Sequence, residues 1–155
     1  MDTAINRLLQ VISGFKNNLY FYFNPRFHES PLTQSEAVKF CRDEQAHLVE
    51  IKSAKENSAI IAEIQRQNFN ARKIEFWLGI TDRQSEGQWV LESTGKNVNF
   101  TNWRSGEPNN AGFGEAEHCA KMGSRYEWND IPCNHKTGRK GWPREGWTRT
   151  ALCKI

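Results

Sequence analysis

Glu107-Pro108-Asn109-Asn110-Ala111-Gly112-Phe113-Gly114-Glu115-Ala116-Glu117-His118-Cys119, followed by Trp128-Asn129-Asp130 and Cys133, is the stretch of this chain whose reading decides the rest. Glu107, Asn109, Glu117, Asn129 and Asp130 offer carboxylates and amide carbonyls. These are hard oxygen donors, of which a calcium ion gathers about 6 to 8. The nitrogen and sulfur ligands that zinc takes are nearly absent from the set. A glycine-containing loop on a rigid scaffold is where such a site belongs.

Around that stretch, 155 residues with 37% hydrophobic and 12% aromatic content suffice for one ordinary core. A net charge of +3, without an arginine-rich helix or an aromatic and basic ladder, gives no case for nucleic acid. Cys41, Cys119, Cys133 and Cys153 form an even set with no Cys-x-x-Cys spacing, so a disulfide framework is more natural than zinc or a redox pair. Their spacing leaves all three connectivities open. Disulfides imply an extracellular setting, secreted or as the ectodomain of a surface protein. No signal peptide is visible after Met1, and no stretch of ~20 apolar residues would insert into a membrane. The start reads as an extracellular portion with an added methionine, and Asn99-Phe100-Thr101 is an N-glycosylation acceptor pattern.

Ile5, Leu8, Ile12 and Phe15 are spaced to line one side of a helix, so residues 1–17 are expected to be a short amphipathic helix, either a neck that gathers several heads into a homo-oligomer or a tail resting on its own domain. Leu19 to Phe23 has the aromatic content of a strand. Thr33-Gln34-Ser35-Glu36 and Ser53-Ala54-Lys55-Glu56 are capping-box patterns opening two helices. The first turns Ala37 and Cys41 inward; the second has an apolar side of Ile60, Ile61 and Ile64, with Lys55, Glu56, Glu63 and Arg66 solvated. Phe76 to Ile80 and Gln88 to Leu91 read as strands whose tryptophans, Trp77 and Trp89, belong to the core. Residues 97 to 103 suggest another short strand, Tyr126 and Trp128 begin one, and Ala151 to Ile155 closes the sheet. The class is α+β, two helices with an antiparallel sheet and a long irregular loop region.

Trp77-Leu78-Gly79-Ile80, Glu107-Pro108-Asn109 and Trp128-Asn129-Asp130, in that order and interleaved with the four cysteines, resemble the C-type lectin carbohydrate-recognition domains over residues 18–155. Any one triplet recurs by chance; the ordered series does not. The resemblance implies disulfides Cys41–Cys153 and Cys119–Cys133. It also implies a principal calcium site of Glu107, Asn109, Glu117, Asn129 and Asp130, with Glu115 the rival for the third position. A second metal site is implied at Asp82, Glu86, Asn110 and Glu117, although His118 stands where some relatives carry Asp.

A calcium ion so held has coordination left for two neighbouring sugar hydroxyls. Each such hydroxyl donates to a carboxylate and accepts from an amide, because Asp and Glu only accept while Asn also donates. A cis Glu107–Pro108 bond, found at ~5 to 6% of X-Pro bonds, would let the flanking side chains aim at one ion. Glu-Pro-Asn, in place of the Gln-Pro-Asp of galactose binders, implies by resemblance a mannose-type ligand with equatorial 3- and 4-hydroxyls: mannose, fucose or N-acetylglucosamine. One head makes few contacts, so affinity would come from multivalency.

Residues 134–149 are a departure, a basic run with Lys136, Arg139, Lys140 and Arg144 around Trp142 and Trp147. They read as a solvated insertion or as a surface for an anionic glycan. The rival functions are a calcium-independent lectin-like domain that binds a protein, ice or an anionic surface, and a glycosidase using paired carboxylates. A calcium-bound carboxylate is a poor acid or base, so no catalytic residue is assigned.

Overall fold

The computed structural model describes residues 9–13, 19–23, 31–66, 73–112, 114–138, 140–141 and 145–155. The elements run β1 (Leu9–Ser13), β2 (Leu19–Phe23), α1 (Gln34–Asp43), β3 (His47–Leu48), α2 (Ala54–Arg66), β4 (Ile74–Thr81), β5 (Val90–Leu91), β6 (Cys119–Met122), β7 (Trp128–Ile131) and β8 (Thr148–Lys154). The strands are ordered β1-β2-β8-β4-β6-β7, with β3 on β8 and β5 on β4. Between named strands the pairing is antiparallel, apart from the parallel β4 and β8, where Trp77 lies opposite Ala151.

All eight residues of β4 are buried, because side chains alternate across a strand that is covered on both faces. Phe76, Leu78 and Ile80 join one apolar cluster with Ile60, Ile64 and Trp128. Trp77 turns to the other, beside Ala37, Cys41, Ala151 and Cys153, and its indole N–H donates to Leu32 O at 2.7 Å. Trp77 and Trp89 are therefore core, as expected. Gly79 is required by close approach: a Cβ there would meet Leu48 O at 2.6 Å and Val49 O at 3.0 Å.

The Thr33 capping box is complete, with Glu36 N donating to Thr33 Oγ1 and Thr33 N to Glu36 Oε1. At α2 the pattern is only half used. Ser53 Oγ accepts from Glu56 N, but the Glu56 carboxylate is buried and pairs with Lys154 Nζ at 3.1 Å, so the expectation of a solvated Glu56 is corrected. Disulfides join Cys41 to Cys153 and Cys119 to Cys133, tying α1 to β8 and β6 to the segment after β7.

Two expectations need revision. Residues 9–13 fall within the neck helix expected over residues 1–17, yet they form β1, with Val11 opposite Phe21. Val11 and Ile12 are β-branched, and pairing with β2 satisfies backbone groups better than a marginal two-heptad helix would alone. Residues 1–8 and 14–17 of that neck lie outside the described residues. The strand expected over residues 97 to 103 reduces to single bridges at Asn97 and Trp103.

Candidate functional site

Trp128 anchors the site from below. Its ring is buried and meets Trp103 and Phe100 edge-on, each at 5.8 Å. Its backbone N–H donates to Asn102 O and its carbonyl accepts from Arg104 N, both at 2.9 Å, while Asn102 Nδ2 reaches Tyr126 O. The loop that follows residue 104 is thus fastened to the strand that carries Asn129 and Asp130. Aromatic packing of this kind contributes ~0.5 to 1.5 kcal/mol per pair beyond area burial.

Asp130 is buried on β7, and its oxygens accept from the backbone N–H groups of Asn109 at 3.0 Å and Asn110 at 2.7 Å. The Glu107–Pro108 bond is cis. Glu107 Oε1 accepts from Asn109 Nδ2 at 3.3 Å and from Arg104 at 3.2 Å. Beyond Asn110 the loop turns back. Ala111 N donates to Glu117 Oε1 at 2.7 Å, and Glu117 N to Asn110 Oδ1 at 2.8 Å. Gly112 permits this reversal, since a Cβ there would lie 2.1 Å from Glu115 O and 2.9 Å from Glu117 Cγ. Glu107, Asn109, Glu117 and Asp130 are brought together in one hydrogen-bonded loop system. Asn129 precedes Asp130 on β7, half-buried and opposite Lys121.

The carboxylates crowd one another. Glu107 is pushed up to about 7, first by burial and then by Asp130, against a smaller opposite pull from Arg104. Glu117 is likewise pushed up to about 7 by burial and by Asp130, offset by the Ala111 N–H and Lys121. Glu107 Oε2 is buried without a hydrogen-bond partner. A buried acceptor left orphaned, in a group of acids that repel, is what a hard cation would relieve. The donor set fits calcium, being oxygen throughout.

Glu115 departs from the group, with its carboxylate 2.6 Å from His135 Nε2 on the edge of an open cleft of about 470 Å³ lined also by Asn134, Lys136, Thr137, Gly138 and Lys140. Lys136 pairs with Glu36 across 3.1 Å, and residues 139 and 142–144 of the basic insert lie outside the described residues. Of the second expected set, Asp82 and Glu86 come together, but around His118. Asn110 and Glu117 are engaged with each other. The sequence reading missed Arg104, whose only signal was a cation three positions before Glu107, and the part played by Gly112.

The Lectin C-type domain model matches residues 30–138. The chain is 34% identical over 128 residues to a hepatic lectin of Gallus gallus, covering 79% of this chain but only 57% of that protein. It is 34% identical over 122 residues to a perlucin-like protein of Mytilus galloprovincialis, covering 77% of this chain and 72% of that one. Among solved structures, the mouse scavenger receptor C-type lectin carbohydrate-recognition domain superposes with a TM-score of 0.69 at 24% identity, over 95% of this chain and 94% of that chain. With the two-helix fold, both disulfide pairings and the matched span in agreement, the chain belongs to the C-type lectin domain family.

Proposed function

We propose that this domain binds glycans bearing equatorial vicinal hydroxyls, of the mannose, fucose or N-acetylglucosamine type, through one calcium ion held by Glu107, Asn109, Glu117, Asn129 and Asp130. The observation that carries the reading is the orphaned, buried Glu107 Oε2 in a group of carboxylates, two of which are lifted to about 7 first by burial and then by Asp130. When bound, calcium neutralises that charge and supplies open coordination positions to two hydroxyl oxygens. The protein's part is direction. Glu107 accepts a hydrogen bond from one hydroxyl and Asn109 donates a hydrogen bond from its amide to the same oxygen; Asp130 and Asn129 offer the same alternation to its neighbour. The Asp130 bonds to Asn109 N and Asn110 N hold the loop in place before sugar arrives, so little ordering entropy remains to be lost.

The two disulfides support an extracellular site of action. Binding, without turnover, is the activity, and presentation of several heads together raises avidity. A glycan array run in calcium and again in chelator tests the reading. Mannose-type signals that vanish with chelator are expected; signals indifferent to chelator would replace this function with calcium-independent recognition.

A further inference from the structure

Asp82, Glu86 and His118 are not members of the proposed sugar set, although His118 directly follows Glu117, and their ligand atoms all fall within 4.8 Å of one another. His118 Nδ1 is 2.9 Å from Asp82 Oδ1 and 3.9 Å from Glu86 Oε1. Two ligands at zinc's usual distance, in a tetrahedron, are about 3.3 Å apart, so these spacings bracket the requirement. A second calcium does not fit as well. The acidic and histidine side chains that converge here among the described residues are two carboxylates and one imidazole, where calcium wants six or more oxygens.

We propose that Asp82, Glu86 and His118 bind a divalent first-row transition ion of the zinc class, in place of the second calcium that the family resemblance implies there. The site is built into the fold. Asp82 is wholly buried, and its Oδ2 accepts from Gly87 N–H at 2.9 Å, which fixes the carboxylate as a supporting hydrogen bond does around a metal. The His118 carbonyl accepts from Asp82 N at 3.2 Å and from Thr81 Oγ1 at 2.9 Å, so the backbone carrying the imidazole is pinned to the end of β4. Cys119, the next residue, is locked to Cys133. The outer side is open, with 31% of the His118 side chain and 53% of the Glu86 side chain exposed, so the ion has an entry path and water can complete four ligands. Binding uses the neutral imidazole: the ring carries its one N–H at Nε2 and gives the Nδ1 lone pair to the ion.

The test uses the full chain with disulfides intact and calcium saturating, so that the oxygen site does not compete. Zinc is titrated by calorimetry, and cobalt(II) is added as a spectroscopic stand-in whose visible absorption reports nitrogen ligation and coordination number. One zinc equivalent is expected beside calcium, with binding weakened at least about tenfold in H118A and in E86Q. The H118D variant is expected to lose the nitrogen-ligated cobalt spectrum and to take up a second calcium. E86Q changes an exposed side chain and guards against misfolding in H118A, which near-UV circular dichroism also checks. Wild-type protein that takes up no zinc in calcium, or folded H118A and E86Q that bind zinc as wild type does, would overturn the proposal.

Discussion

Asn110 donates its backbone N–H to Asp130 Oδ2 at 2.7 Å, so a strand residue 20 positions further along the chain holds the outer loop in place. With the Asn109 N–H on the other oxygen, Asp130 has both a structural and a proposed ligand role. Alanine at Asp130 is expected to abolish calcium-dependent glycan binding and to lower stability by about 2 kcal/mol, since each hydrogen bond to a charged group contributes ~1.5 to 3 kcal/mol and water will replace part of that. Calcium titration and urea unfolding read the two effects separately. A D130A protein that binds glycan normally would remove Asp130 from the site.

Gly112 offers a cleaner separation of loop geometry from ligand chemistry. The G112A substitution leaves every oxygen donor in place but puts a Cβ against Glu115 O and Glu117 Cγ. Calcium affinity is expected to fall at least about tenfold, equivalent to ~1.4 kcal/mol, while the melting temperature in chelator changes little. Unchanged calcium affinity would mean that the Glu117 carboxylate is not aimed by this turn.

Acidity should act twice on the same groups. Glu107 and Glu117 are raised from an ordinary 4.5 to about 7 in the ion-free folded protein, so their contribution to stability is full below 4.5 and is lost as pH rises through about 7. Calcium requires the ionised forms, so its affinity has the opposite trend and falls on acidification through that same window. Melting curves at pH 8 and pH 5.5, in calcium and in chelator, are expected to show a larger calcium increment at pH 8. Equal increments would exclude the mechanism.

Sugar class should follow the order of acid and amide. Exchanging the two ends, in E107Q combined with N109D, reverses the donor and acceptor directions offered to a diol. Glycan-array preference is expected to move from mannose-type toward galactose-type ligands, with calcium dependence retained. Unaltered mannose preference would place selectivity elsewhere, the cleft beside His135 being the first region to probe.

Under the site, Glu75 is fully buried, with Lys121 Nζ at 2.6 Å and Arg149 Nε at 3.4 Å. Arg149 also donates to the carbonyls of His135 and Thr137, and its burial lowers its pKa while Glu75 holds it up. Truncation to K121A leaves the acid with one cation and is expected to cost about 3 kcal/mol in urea unfolding, because breaking a buried pair strands a charge. A loss below ~1 kcal/mol would show that Arg149 compensates.

How much of this was readable beforehand depended on range. Helix caps, the buried strand around Trp77 and the oxygen-rich loop are local patterns, and the structure has α1, β4 and the Asp130 loop where the residues imply them. The disulfide partners came from family resemblance, since spacing left three choices. What failed was decided by distant partners. Glu56 reads as solvated until Lys154 arrives from 98 positions away. Ile5, Leu8, Ile12 and Phe15 have helical spacing, but Leu9 to Ser13 within that span finds β2 beside it. Glu115, the rival named beside Glu117, meets His135 from 20 positions away, a contact that no local pattern announces.

The strand order has a practical consequence for anyone wishing to display this domain. β1 and β8 are the first and last strands along the chain, with β2 between them in the sheet, and β7 with Asp130 lies at the edge of the order opposite β1. At ~4.8 Å per strand, three steps separate β8 from the strand that carries Asp130 by roughly 14 Å. Ile155, which follows β8, is exposed, so a bead, sensor chip or multimerising tag linked after it starts three strands away from the strand that carries Asp130.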